Sequence, residues 1–236
     1  MRRRLGSLLA GLAALGGGVG ATPLLAPLED ADAWRLVLLP QQKVPATRFS
    51  RVQIDGRRAL RIEAVGSYGN LVLDLPVSAA DPRVLSWQWR VDRPVAAADR
   101  RQRRGDDAAA KICVMYDMPR DRVTFFERQA LRLASAAAGE ALPAATVCYV
   151  WDVRLPTGTV LPNAFSRRMR WIVLRGDDTE LGRWQSERRD LAADFRLAFG
   201  DESQVMPRVA AVLVGADADN TGGSSLAHVA GLELTR

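Results

Sequence analysis

Asp217, Asp219, Thr221 and Gly222 stand at the first, third, fifth and sixth places of a D-x-D-x-T-G run near the end of the chain. Calcium loops use this spacing, because alternate side chains turn inward and the glycine permits the sharp bend. A helix–loop–helix calcium site also needs flanking helices and a bidentate glutamate at its twelfth place. Here the twelfth place is His228, and the flanks "PRVAAVLVGA" and "SLAHVAGLEL" read as strands. The run is therefore expected to be a turn between two strands, with Asp217 or Asp219 bonding the amides of residues 220–223. Binding of a hard cation such as calcium by Asp217 and Asp219 is the alternative.

A second group of chemistry-bearing residues interrupts apolar strands. In "SWQWRVD", period-two alternation places Trp87, Trp89 and Val91 on one face and Ser86, Gln88, Arg90 and Asp92 on the other. Lys111, Asp152, Arg170 and Glu187 stand in similar surroundings. Buried charge must be paired or face a cavity. With the tryptophans filling the core, Gln88, Arg90, Asp92, Lys111, Asp152 and Glu187 are the candidate ligand-binding residues, expected to converge on one face of one sheet. Donors and acceptors side by side suit sugar hydroxyls. The competing expectation is a closed ion network that only fixes sheet geometry.

Other chemistries find less support. His228 is the single histidine and there are two cysteines, too few for a typical zinc site. No G-x-S-x-G elbow accompanies His228, which disfavours a Ser-His-Asp hydrolase. The acids could include a pair suited to glycoside cleavage, but no pair stands out. The run "DRRQRRGDD", Asp99 to Asp107, could grip an anionic glycan, although such runs between strands are usually solvated loops.

The elements that must hold these groups are mostly strands. Short alternating apolar runs recur, among them "RALRIEAV", "GNLVLDLP", "AAAKICVMYD", "ATVCYVWDV", "RMRWIVLR" and "RWQSERRDL", punctuated by Pro, Gly and Asp. About ten strands predict a two-sheet antiparallel β-sandwich. Two segments break the pattern. In "TFFERQALRLASAAAGE", Thr124 and Glu127 form a capping box, Phe126, Ala130, Leu133 and Ala137 share one helical face, and Gly139 marks a stop. This predicts an inserted helix laid over the sandwich. "DLAADFRLAFG" predicts a short connecting helix capped by Asp190. Cys113 and Cys148 would bridge if their runs are neighbouring strands.

Residues 1–21 have the form of a signal peptide: Arg2–Arg4, an apolar stretch from Leu5 to Leu15, and Val19-Gly20-Ala21 as a cleavage site. Residues 22–236 are then expected to form one exported, periplasmic or secreted domain with no membrane span. Loss of the leader removes three of the 33 basic residues and none of the 27 acidic ones, so the formal charge falls from +6 to +3. No clustered basic face marks a nucleic-acid partner.

The motifs "WQWRVD", "GDDAAAKICVMYD", "YVWD", "GRWQSERRDLAADFRLAFG" and "GADADNTG", in that order, resemble the domain-of-unknown-function 3047 family of exported bacterial proteins. That family usually carries Thr-Asp-Thr-Asp-Asn-Thr-Gly near its end, where this chain has alanine at 216 and 218. The resemblance implies export and a jelly-roll-like sandwich similar to carbohydrate-binding modules, and no activity. The first functional expectation is a non-catalytic protein that binds a glycan or another cell-envelope polymer, with no organic cofactor. A carboxylate-based glycan hydrolase or lyase and an envelope assembly protein with a protein partner are the alternatives. Carboxylates with raised pKa in a groove would favour the enzyme.

Overall fold

The computed structural model describes residues 24–77 and 81–236; the expected signal peptide lies outside them. In chain order the elements are β1 (Arg35–Val37), β2 (Arg48–Ile54), β3 (Arg57–Val65), β4 (Tyr68–Asp74), β5 (Val84–Arg93), β6 (Ala108–Tyr116), α1 (Phe125–Ala138), β7 (Ala145–Trp151), β8 (Val160–Pro162), β9 (Met169–Arg175), β10 (Gln185–Asp190), α2 (Leu191–Phe199), β11 (Val209–Asp217) and β12 (Ser224–Thr235). They build a β-sandwich. One sheet has the order β1-β4-β11-β6-β7-β9-β8 and the other β10-β5-β12-β3-β2. Pairing is antiparallel except between β7 and β9, which run parallel. Three strands were not anticipated from the sequence. β1 and β8 are three residues each, and β2, with Arg48 and Arg51 exposed, is a polar edge.

The alternation in β5 is realised as expected. Trp87, Trp89 and Val91 are buried, while Gln88, Arg90 and Asp92 are half-buried on the opposite face. Trp87 packs against Tyr149 of the other sheet at 5.2 Å between ring centroids, and Trp89 against Trp151 at 5.9 Å. These contacts close the gap between the sheets, as offset and edge-to-face rings do in sandwich cores.

The seven-stranded sheet is apolar on both faces. Ile112, Val114 and Tyr116 of β6 point into the shared core. On its other side, Val72, Cys113, Cys148, Ala211 and Leu213 belong to a separate apolar cluster. Cys113 and Cys148 are register partners on β6 and β7 and form a disulfide there.

Both helices end where the sequence indicated. The Thr124 hydroxyl accepts from the Glu127 amide at 3.5 Å and donates to the Glu127 carboxylate at 2.9 Å, and Gly139 closes α1 at φ 72°. Asp190 caps α2 by accepting from the Ala193 amide at 2.9 Å. The face predicted to lie on the sandwich does not do so. Phe126, Ala130, Leu133 and Ala137 are exposed, and α1 buries Leu131 instead. Leu131 and Glu127 turn toward the body because Glu127 meets Arg168 at 3.2 Å.

Candidate functional site

An antiparallel sheet with one face on the core normally turns polar side chains to water on the other. Here the second face of the seven-stranded sheet is instead the floor of a cleft of about 820 Å³. That volume lies within the range of small-ligand sites, roughly 300–1,000 Å³. Val37, Met115 and Met169 form the accessible part of the floor over the buried Val72, Cys113 and Leu213, and Ala130, Leu131 and Ala134 of α1 form one wall. Arg35, Arg120 and Arg208 stand at its margin together with Asp74 and Asp117.

The cleft turns polar where β4, β11 and β6 run side by side. Asn70, Gly215 and Lys111 are register partners across these strands. A side chain at 215 has no room, since a Cβ there would sit 2.0 Å from Asn70 Oδ1. The glycine thus lets Asn70 cross β11 toward Lys111. Asn70 Nδ2 donates to the Tyr68 hydroxyl at 2.9 Å, and the Lys111 ammonium lies 5.0 Å from the Tyr68 ring centroid. Lys111 Nζ also donates to Asp217 Oδ2 at 2.9 Å. Burial works against the Lys111 ammonium. The charges and hydrogen bond of Asp217, with help from Tyr68, outweigh it and hold the pKa above its ordinary value. Burial raises the Tyr68 phenol in turn.

Behind the lysine stands a group of acids. Asp217 Oδ1 accepts from the Ala108 amide at 2.8 Å. Asp107 accepts from the amides of Asn220 and Thr221 and from the Thr221 hydroxyl. Burial pushes Asp106 up to about 6, and repulsion from Asp217 adds to the shift while Arg100 and Lys111 oppose it. Burial and the same Asp217 charge raise Asp219. Donor oxygens of Asp107, Asp217 and Asp219 lie within 4.8 Å of one another. Their oxygens are nevertheless largely committed: Asp107 to the 220–221 loop, Asp217 to Lys111 and Ala108. Calcium takes six to eight oxygens, and the lysine ammonium already answers the Asp217 charge. These residues fit a calcium ion poorly.

The expected task of Asp217 and Asp219 belongs to another residue. Asp107, not either of them, fixes the turn amides. In the sequence Asp106 and Asp107 belong to a charge run of the kind that is usually solvated. Both are buried, and so is Arg100 from the same run.

The six candidate ligand-binding residues do not converge. Gln88, Arg90 and Asp92 share the outer face of the five-stranded sheet. Gln88 bonds Arg57 and Ser186. Arg90 bonds Asp92 at 2.7 Å and Asp55 at 2.8 Å, and His228 Nδ1 lies 2.9 Å from Asp92. Burial holds the His228 imidazole below its ordinary pKa against the pull of Asp92. Glu187 is the register partner of Trp87 and therefore shares the tryptophans' face, where it accepts from Trp89 Nε1 and Arg175. Asp152 pairs with Arg100 at 2.8 Å, with both side chains buried, and caps the amides of Arg154 and Leu155. Lys111 alone reaches the cleft. Arg170 likewise closes on Asp201 and Glu202. Alternation within a strand assigned faces correctly in β5 but could not say which face of which sheet each strand would present.

The motifs that meet at the polar end, "GDDAAAKICVMYD" and "GADADNTG", are joined by the Asp107 and Lys111 contacts. The family described as "Protein of unknown function (DUF3047)" matches residues 32–233. The chain belongs to that family. No curated protein matches this DUF3047 chain. Among solved structures it is similar to a meso-active thermo-stable cellulase derived from the Cel12A cellulase of Rhodothermus marinus. The identity is 13%, the TM-score is 0.36, and the match covers 86% of this chain and 95% of that one. At those values the likeness carries no argument about activity.

Proposed function

We propose that the chain is an exported protein that binds a glycan or another cell-envelope polymer in the cleft on the seven-stranded sheet, without chemistry. The cleft itself carries this reading: a large concavity with an apolar floor and a set of donors and acceptors, Lys111, Asn70 and Tyr68, at one end. An apolar floor suits the C–H face of a sugar ring, and the polar end suits hydroxyls. The outer face of the five-stranded sheet is less suited, because Gln88, Arg90 and Asp92 satisfy one another and their neighbours. A glycan array tests the proposal. Binding is expected for the unmodified protein and should be lost in Met115→Trp, which fills the floor, while Arg90→Ala should leave it intact. Binding that survives Met115→Trp and disappears in Arg90→Ala would move the ligand to the other sheet.

A further inference from the structure

α1 presents its apolar residues outward. At 100° per residue, Phe126, Ala130, Leu133 and Ala137 fall within an arc of about 60°; Ala130 at one edge of that arc borders the cleft, while Phe126 and Leu133 face solvent. Phe126 is 83% exposed, Leu133 74% and the adjoining Phe125 60%. The two phenylalanine rings meet edge to face at 5.7 Å, so together they form one continuous apolar knob.

The charges around this stripe are mostly of one sign. Seen down the axis, Leu133 and Phe126 lie about 80–100° to one side of Phe125, and Arg132 and Arg128 about 20–60° to the other, so the arginines border the apolar surface only along its Phe125 edge; Arg120 and Arg122 precede the helix. Among the described residues none of these four arginines forms an ion pair with an acid, whereas Glu127, the one acid within α1, is engaged by Arg168 and Arg167. Asp121 is the remaining acid of the segment. An amphipathic helix with phenylalanine and leucine exposed on one side, arginines along one edge of that side and low overall hydrophobicity has the character of a helix that lies in the headgroup region of a bilayer. No helix among the described residues is long and apolar enough to cross a membrane.

We propose that α1 docks on an anionic bilayer surface. Phe125, Phe126 and Leu133 enter the boundary between headgroups and acyl chains, and Arg120, Arg122, Arg128 and Arg132 meet lipid phosphates. Charge decides between this occupant and a second copy of the chain. A two-fold pairing of this surface with itself would bring the arginine edge of both copies to one interface, with few acids at its rim to receive them. Phosphates provide the opposite charge throughout.

Co-sedimentation with vesicles tests the proposal on the full protein. Binding is expected to vesicles of phosphatidylglycerol with phosphatidylcholine, to weaken with added salt, and to be low on phosphatidylcholine alone. The double variant Phe126→Ser/Leu133→Ser should lose binding on the order of tenfold, and so should Arg128→Ala/Arg132→Ala. All four positions lie outside the sandwich, so an unchanged thermal unfolding profile shows that the fold is retained. Failure of the unmodified protein to pellet with anionic vesicles would overturn the proposal, as would equal pelleting by the variants. An oligomer seen by light scattering that Phe126→Ser/Leu133→Ser dissolves, without vesicle binding, would assign the stripe to a second copy instead.

Discussion

Asp107 and Thr221 are joined twice, by the Thr221 amide at 2.8 Å and by its hydroxyl at 2.6 Å, both donating to the same carboxylate oxygen. The other oxygen accepts from the Asn220 amide and side chain, each at 3.1 Å. One side chain at the start of β6 thus organises the turn between β11 and β12. Replacing it strands several buried donors at once, which costs more than the net worth of the bonds.

Asp107→Ala should therefore destabilise the protein by about 2–3 kcal/mol. Asp219 has a buried oxygen with no partner and a raised pKa. Asp219→Asn should accordingly be neutral or slightly stabilising. Urea unfolding of the two variants checks the contrast. Equal losses would show that the turn depends on its acids collectively rather than on Asp107.

Lys111→Met leaves the Asp217 carboxylate buried without its cation and should cost about 3–5 kcal/mol. Adding Asp217→Leu should recover a large part of that loss, since the pair can be exchanged for apolar groups. Calcium should leave the unfolding midpoint of the unmodified protein in place. A calcium-dependent rise that Asp217→Ala abolishes would show that the acids receive a metal after all.

The pH dependence follows from Asp106. Its folded pKa, about 6, exceeds the ordinary carboxyl value of 3.8, so the folded state holds the proton more tightly than the unfolded chain. Its contribution is fully present below pH 4 and is lost as the pH rises through 6. Asp106→Asn, which stays neutral, should remove this component. The variant's stability relative to the unmodified protein should grow between pH 4 and pH 7, by up to about 3 kcal/mol. Chemical unfolding of both proteins across that range measures it, and parallel curves would contradict the assignment.

Reduction of Cys113–Cys148, which are 35 residues apart in sequence, should lower stability by about 3–4 kcal/mol in the chain-entropy account. Comparison of melting temperatures with and without a reductant, in protein opened enough for the buried bridge to react, gives the value. Cys113→Ala/Cys148→Ala should match the reduced form.

The parts of the fold that were legible in the sequence are those governed by local periodicity. The tryptophan side of β5, both helix caps and the strand neighbourhood of the cysteines follow from spacing alone. β1 and β8 are too short to show a period, and β2 is too polar at its edge. The site was harder to read for a different reason. Asp107 and Thr221 are 114 residues apart, and a charged residue carries no local mark of whether a distant loop will cover it. Arg100 and Asp107 lie in a run that looks solvated, yet each is buried by a partner from elsewhere in the chain. Glu187 lies on the tryptophans' side rather than the expected one, because its direction depends on the register with Trp87, which only the paired strands define.

α1 is both a wall of the cleft and a loosely held element. Its anchors are the buried Leu131 and the contacts of Glu127 with Arg168, while the sheet beneath is buried on both faces and bridged by a disulfide. Few buried apolar contacts mean a small free energy of local opening. The helix is therefore expected to open like a door in a rigid frame while β6 and β7 stay shut, its amides exchanging with solvent long before theirs. Whatever grips the outward phenylalanines pulls on the same door, so an event on the outside of the molecule and access to its interior share one moving part.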